Sequence, residues 1–133
     1  MIWLTTVGRT GRPYPAVVWF LWDGSTILVY SLAGAQRLSN IERNPWVALH
    51  LDGDGAGGDV VVVQGRARIA PDERPADRVP EFVEKYLDWI TGQLHTSPEG
   101  FARMCSVPVR IVPTRVQAHG VDPPIVDLLR SNP

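Results

Sequence analysis

The chain has 133 residues, a formal net charge of −1 and 44% hydrophobic residues, which is the length and composition of one globular domain able to build a core. A nearly neutral chain has no bulk attraction to nucleic acid or to an anionic membrane, and no apolar run approaches the roughly 18–20 residues needed to cross a bilayer. The single cysteine, Cys105, rules out an intrachain disulfide, and residues 1–6 lack the basic-then-apolar pattern of a secretory signal, so a cytoplasmic protein is expected.

Residues 2–7 are rich in β-branched and aromatic side chains and predict a strand. Gly8 and Gly11 supply the flexible positions of a reversing turn, and residues 14–22 predict a second strand with Pro13 and Pro15 at its start. Asp23-Gly24 is a tight-turn signal, and residues 26–31 return as a third strand, completing an antiparallel meander. Residues 36–43 predict a short helix with Ala35, Leu38 and Ile41 on one side, ended by Asn44-Pro45 because a residue before proline is pushed out of helical geometry. Residues 46–51 form a fourth strand, 52–58 a glycine-rich connection, and 59–69 a long fifth strand whose valine run, 60–63, is expected to be buried on both faces.

From Pro71 the composition becomes charged and helical. Phe82, Val83, Tyr86, Leu87 and Ile90 make an amphipathic stripe, and Ser97-Pro98 starts a second helix anchored by Phe101 and Met104. Residues 107–118 close the sheet, and Ile125 to Arg130 are expected to add a last helical turn after Pro123-Pro124. The sum is a mainly β domain spanning residues 1–133. It has about six antiparallel strands in a split β-barrel of Greek-key type, a short helix between strands three and four, and a helical insertion before the last strand.

The glycine-rich segment 52–58 lacks the Lys-Ser or Lys-Thr and the helix of a phosphate loop, and its aspartates repel phosphate, so a hairpin connection is expected. His50, His95 and His119 are widely spaced beside one cysteine, which gives no metal-ligand pattern. Cys105 sits among apolar residues and reads as a buried, inert thiol.

Residues 12–45 are more informative. Ser31 stands just before the 36–43 helix, Gln36 and Arg37 in its first turn, and Asn40 three residues beyond Arg37 on the same face. A hydroxyl, a guanidinium, a side-chain amide and a helix N-terminus together suit a phosphate; the alternative is a surface helix with an exposed arginine. The neighbouring strand is bulky and apolar on both faces, with Val18, Phe20 and Trp22 on one and Val17, Trp19 and Leu21 on the other. One face fills a barrel; the other is free to meet a flat cofactor ring or a second subunit.

The ordered pieces Trp3-Leu4-Thr5-Thr6-Val7, Gly11-Arg12-Pro13, Val18-Trp19-Phe20-Leu21-Trp22-Asp23-Gly24, residues 37–45 and residues 47–54 resemble the pyridoxamine 5′-phosphate oxidase-like superfamily. Within it the match is closer to the actinobacterial flavin/deazaflavin oxidoreductases of the B class, over about residues 2–70. The resemblance implies a homodimer with cofactor between the subunits, and hydride transfer to or from a small electrophilic organic substrate. It implies coenzyme F420, with FMN as the alternative and a non-catalytic cofactor- or haem-binding module as a further one. It assigns cofactor contacts to Val17, Val18, Trp19, Phe20, Ser31, Gln36, Arg37 and Asn40, with Arg37 where relatives often carry lysine. Arg9, Arg12, Arg66 and Arg68 are candidates for the anionic tail of F420, and Tyr14, Tyr30 and His50 for a proton donor, with no catalytic residue assigned.

Overall fold

The computed structural model describes residues 1–120 and 129–130. Its strands are β1 (Ile2–Val7), β2 (Pro13–Val18), β3 (Phe20–Trp22), β4 (Ile27–Ser31), β5 (Trp46–His50), β6 (Val60–Ile69) and β7 (Val107–His119). Its helices are α1 (Gln36–Arg43), α2 (Pro80–Gly92) and α3 (Pro98–Met104), with a 3₁₀ turn at Ala76–Arg78. The strands form one antiparallel sheet in the order β2-β1-β5-β6-β7-β4-β3, curled into a half-barrel. The two edge strands are successive pieces of one extended segment, which pairs with β1 up to Val18 and with β4 from Phe20 onward. The split of the barrel therefore lies at Trp19, and the single second strand expected from sequence is two strands with different partners.

Alternation sets the inside. In β1 the side chains of Ile2, Leu4 and Thr6 are buried, while Trp3, Thr5 and Val7 face outward. Val61 and Val63 of β6 are buried, but Val60 and Val62 are only partly so, which corrects the expectation of a strand covered on both faces. The strand that is covered on both faces is β4, every residue of which is buried. Ile27 and Val29 enter the barrel core with Leu4, Phe20, Leu49 and Ile111, whereas Leu28 and Tyr30 enter a second core with Phe82, Tyr86, Ile90 and Phe101 of the helical insertion. The hydrophobic stripe expected on α2 thus narrows to Phe82, Tyr86 and Ile90, and Leu87 is exposed.

Local chemistry starts and stops the elements. Ser97 caps α3 by accepting the Gly100 amide at 3.0 Å, with Pro98 in the first turn. The α1 helix ends where the Asn44 side chain turns to accept the Trp46 amide at 3.0 Å. In the 52–58 connection the Asp54 carboxylate takes the amides of Ala56 and Gly58, each at 2.8 Å, so the donors that could cradle a phosphate already serve the loop. Gly65 marks a register shift between β6 and β7; a Cβ there would lie 2.6 Å from the Val112 carbonyl oxygen. The helical turn expected at 125–130 falls mostly outside the described residues, of which Leu129 packs into the barrel core. Among the described residues no helix is long and apolar enough to cross a membrane.

Candidate functional site

The barrel's split edge and the helical insertion face each other across a cleft of about 290 Å³. One wall is Val17, Val18 and Trp19, from the end of β2 and the residue after it. The opposite wall is Leu94, Phe101, Met104 and Cys105, with Tyr30, Leu32 and Arg37 completing the lining. The lining is overwhelmingly apolar, and Val17, Leu32, Leu94 and Met104 stay between 42% and 47% exposed, so the cleft opens through an apolar rim.

Among the described residues, Arg37 is the one charged side chain in that lining. Its Nη1 donates to Ser31 Oγ at 2.8 Å, while Ser31 Oγ donates to the Leu32 carbonyl at 3.1 Å. Ser31 is buried, so it aims the guanidinium and does not itself meet solvent. Among the described residues no carboxylate pairs with Arg37. Desolvation lowers the Arg37 pKa from its ordinary value; the remaining influence, from Cys105, works the other way. A guanidinium still carries its charge under such a shift, so the cleft holds a half-buried cation with no carboxylate paired to it among the described residues. Cys105, expected to be a buried thiol, is only partly buried and lines this cleft. Burial raises its thiol pKa, against the opposing effect of Arg37.

The residues assigned by resemblance separate into those the fold gathers and those it does not. Val17, Val18, Trp19 and Arg37 share the cleft, and Ser31 touches Arg37 from behind. Gln36 opens onto an adjoining groove of about 430 Å³ with Ala33, Gly34 and Ala35. Its Nε2 donates to Ser39 Oγ and Asn40 Oδ1, each at 3.1 Å. Asn40 is completely buried and donates to Thr6 Oγ1 at 3.0 Å, so its side chain ties α1 to β1 inside the barrel. Phe20 is also completely buried, its ring in the barrel core. The period-2 alternation explains the division: Val17 and Trp19 face out where Val18 and Phe20 face in, and only at the strand's end does Val18 reach the cleft as well.

Sequence reasoning missed the opposite wall. Phe101 and Met104 were expected only to anchor α3, yet of the two only Phe101 is buried, and Met104 is 46% exposed in the cleft. A seven-residue helix with more large apolar residues than it can bury was the available signal. The other candidates lie elsewhere. Arg9 and Arg12 are exposed, Arg66 lies 5.0 Å over the Trp46 ring, and Arg68 pairs with Asp72 at 3.3 Å. His50 stacks on Trp3 at 6.1 Å and Tyr14 is exposed. Tyr30 lines the cleft, but its hydroxyl donates to the Arg74 carbonyl at 2.6 Å and burial pushes it up to about 12, which makes it a reluctant proton donor. Among the described residues no group of His, Cys, Asp or Glu gathers to hold a metal ion.

Residues 1–118 match the family model of pyridoxamine 5′-phosphate oxidase. No curated protein matches the chain. Among solved structures, a conserved hypothetical protein from Mycobacterium tuberculosis is 29% identical with a TM-score of 0.64, covering 86% of this chain and 73% of that one. An F420 reductase is 24% identical with a TM-score of 0.63, covering 87% of each chain. The haem storage protein HutZ from Vibrio cholerae is 18% identical with a TM-score of 0.62, covering 88% of this chain and 84% of that one. The last two likenesses speak to the fold alone.

Proposed function

Because the chain belongs to the pyridoxamine 5′-phosphate oxidase family, we propose that it is an oxidoreductase holding coenzyme F420, or alternatively FMN, in the cleft between Val17–Trp19 and Arg37. The observation that carries this reading is Arg37: a cation set in an apolar cleft, aimed by Ser31 and without a carboxylate among the described residues. Such a group suits the phosphate of either coenzyme, and the apolar wall beside it suits the flat ring that both share. The bound coenzyme supplies hydride transfer with a small electrophilic organic substrate. The chain's own residues bind and orient: Arg37 and Ser31 anchor the anion, Val17 and Trp19 support the ring, and Leu94 and Met104 exclude water. Gln36, in the first turn of α1, stands next to the anchor and extends the polar side of the site. A solved F420 reductase with this fold supports the first choice of coenzyme.

A cleft of about 290 Å³ lies at the lower end of ligand-site volumes, and its rim is apolar, so a second copy of the chain is proposed to complete it. A homodimer would also cover the sheet's outer face, where Trp46 is 51% and Val112 49% exposed on either side of Arg66. Sedimentation tests this directly; a monomer at tens of micromolar removes the dimer from the proposal.

The cofactor reading is tested by titrating the protein with F420 and with FMN and following ring fluorescence. Arg37→Ala should weaken binding by about 1.5–3 kcal/mol, the range for a hydrogen bond to a charged group. Arg37→Lys should recover part of it, as a charge without the fork of donors. Saturable binding of neither coenzyme ends this reading. A haem-like absorption spectrum on loading with haemin, without turnover of enones or quinones, would instead favour a carrier, the use named for the Vibrio neighbour.

A further inference from the structure

The extended segment 13–22 changes partners at one residue. β2 follows β1 as far as Val18, β3 follows β4 from Phe20, and Trp19 belongs to neither ladder. A strand that leaves one neighbour for another strands backbone groups at the changeover, and buried backbone groups without partners are costly. One side chain, arriving from 66 residues away, takes both of them. The Tyr86 hydroxyl accepts the Phe20 amide at 2.8 Å and donates to the Phe20 carbonyl at 3.0 Å. Lys85, the next residue toward the start of α2, donates to the same carbonyl at 2.9 Å and places its ammonium 3.6 Å from the centroid of the Phe20 ring.

The Tyr86 ring has a second contact. It lies 4.7 Å from the Trp19 ring, within 3° of parallel, and Phe101 stacks on Trp19 at 5.0 Å and 15°. Tyr86 is fully buried and does not line the cleft; Trp19 and Phe101 do. Stacked rings fix each other's planes as well as their separation. The plane of the cleft wall at Trp19 is thus set from behind by a residue that no ligand touches.

We infer that Tyr86 is a positioning residue for ring binding: by closing the backbone at Phe20 and stacking on Trp19, it holds the indole in the plane against which a flat coenzyme ring lies. This rests on the cofactor reading given above. It adds that recognition of the ring is governed by the helical insertion through Trp19, separately from the phosphate anchor at Arg37. Tyr86 makes its contribution twice, through its hydroxyl and through its ring, and Tyr86→Phe separates the two.

The test uses full-length Tyr86→Phe, with Val63→Ala as a barrel-core control chosen for a comparable loss in Tm and Trp19→Phe to identify the near-ultraviolet circular dichroism of the stacked indole. FMN and F420 are the probes. Tyr86→Phe frees the Phe20 backbone and so loosens the indole beside it; it should lose about tenfold in affinity for whichever coenzyme the wild type binds, as misplaced binding groups do, and should weaken the Trp19 band. Val63→Ala should change neither. Unchanged affinity in folded Tyr86→Phe overturns the inference, as does an equal loss in Val63→Ala, which would make the effect one of stability. If Tyr86→Phe does not fold, Tyr86→His takes its place, keeping a ring but not the hydroxyl that reaches Phe20; a severalfold loss with a weakened Trp19 band supports the inference and unchanged affinity overturns it. Failure of the wild type to bind either coenzyme brings down the cofactor reading and this inference together, whereas wild-type binding that the variants leave intact brings down this inference alone.

Discussion

The two cores of this protein share β4 and, beside it, β3, and little else. The barrel core is aliphatic, built from Leu4, Ile27, Val29, Leu49, Val61, Val63 and Ile111 around Phe20, and its members come from strands far apart in the chain. The outer core is aromatic: Tyr30 meets Phe82 edge-on at 5.0 Å, Phe82 meets Tyr86 at 5.0 Å, and Tyr86 and Phe101 stack on Trp19. Alternation along β4 divides the load, sending Val29 to one core and Tyr30 to the other. The difference teaches a division of labour. Aliphatic packing tolerates shape changes and supplies stability, whereas aromatic packing carries direction and polar handles. The cleft borders the second kind, and Trp19 and Phe101 are at once members of that packing and parts of the cleft wall.

The strongest way to break the comparison is to truncate each core. Phe82→Ala should cost about 3–5 kcal/mol and Leu49→Ala about 2–5 kcal/mol in urea unfolding, both in one transition if the cores fold as a unit. Only Phe82→Ala should diminish the near-ultraviolet signal of the aromatic stack. Two separate transitions would show that the helical layer is an independent unit. A smaller effect is expected at Asn40→Ala, which leaves Thr6 Oγ1 without its donor inside the barrel: about 1–3 kcal/mol of stability. If Asn40 instead served chiefly as a ligand contact, coenzyme affinity would fall with stability nearly unchanged.

A pH experiment probes the seam between the cores. Burial lowers the chain's one lysine, Lys85, to about 8 from an ordinary 10.5. Between those values the unfolded chain binds more protons than the folded one, so unfolding free energy should rise with pH from about 8 toward 10. Tyr30 and Tyr86 are both raised above their ordinary 10.0, chiefly by burial, so the folded state keeps protons that the unfolded state releases and stability should fall again above 10. Lys85→Met should flatten the rising limb; a rise that survives the substitution assigns it to another group. The smallest effect is expected on the surface, where Arg68→Ala removes an exposed pair with Asp72 and should leave the unfolding midpoint in urea nearly unchanged.

How much was legible depended on the range of the interaction. The helix at Gln36–Arg43 could be bounded because Asn44-Pro45 ends it locally, and Val17 and Trp19 could be placed on one face because a strand alternates every residue. Arg37 could be singled out because its neighbours in the chain, Ser31 and the first turn of α1, are also its neighbours in space. Asn40 belonged by spacing to the same group, yet its hydrogen-bond partner is 34 residues away and pulls it inward.

The amino-acid sequence by itself determined the strand periodicity, the single helix between the third and fourth predicted strands, and the apolar segment and the arginine that share the cleft. Those features follow from propensity and spacing within a dozen residues or so. Only the tertiary structure decided that the second predicted strand breaks at Trp19, that β4 is covered on both faces, and that Leu94, Met104 and Cys105 form the opposite wall. Each depends on α2 and α3 docking onto the outside of the barrel. That contact is made by residues such as Tyr86 and Phe20, whose hydrogen bonds span the chain and leave no trace in any local pattern.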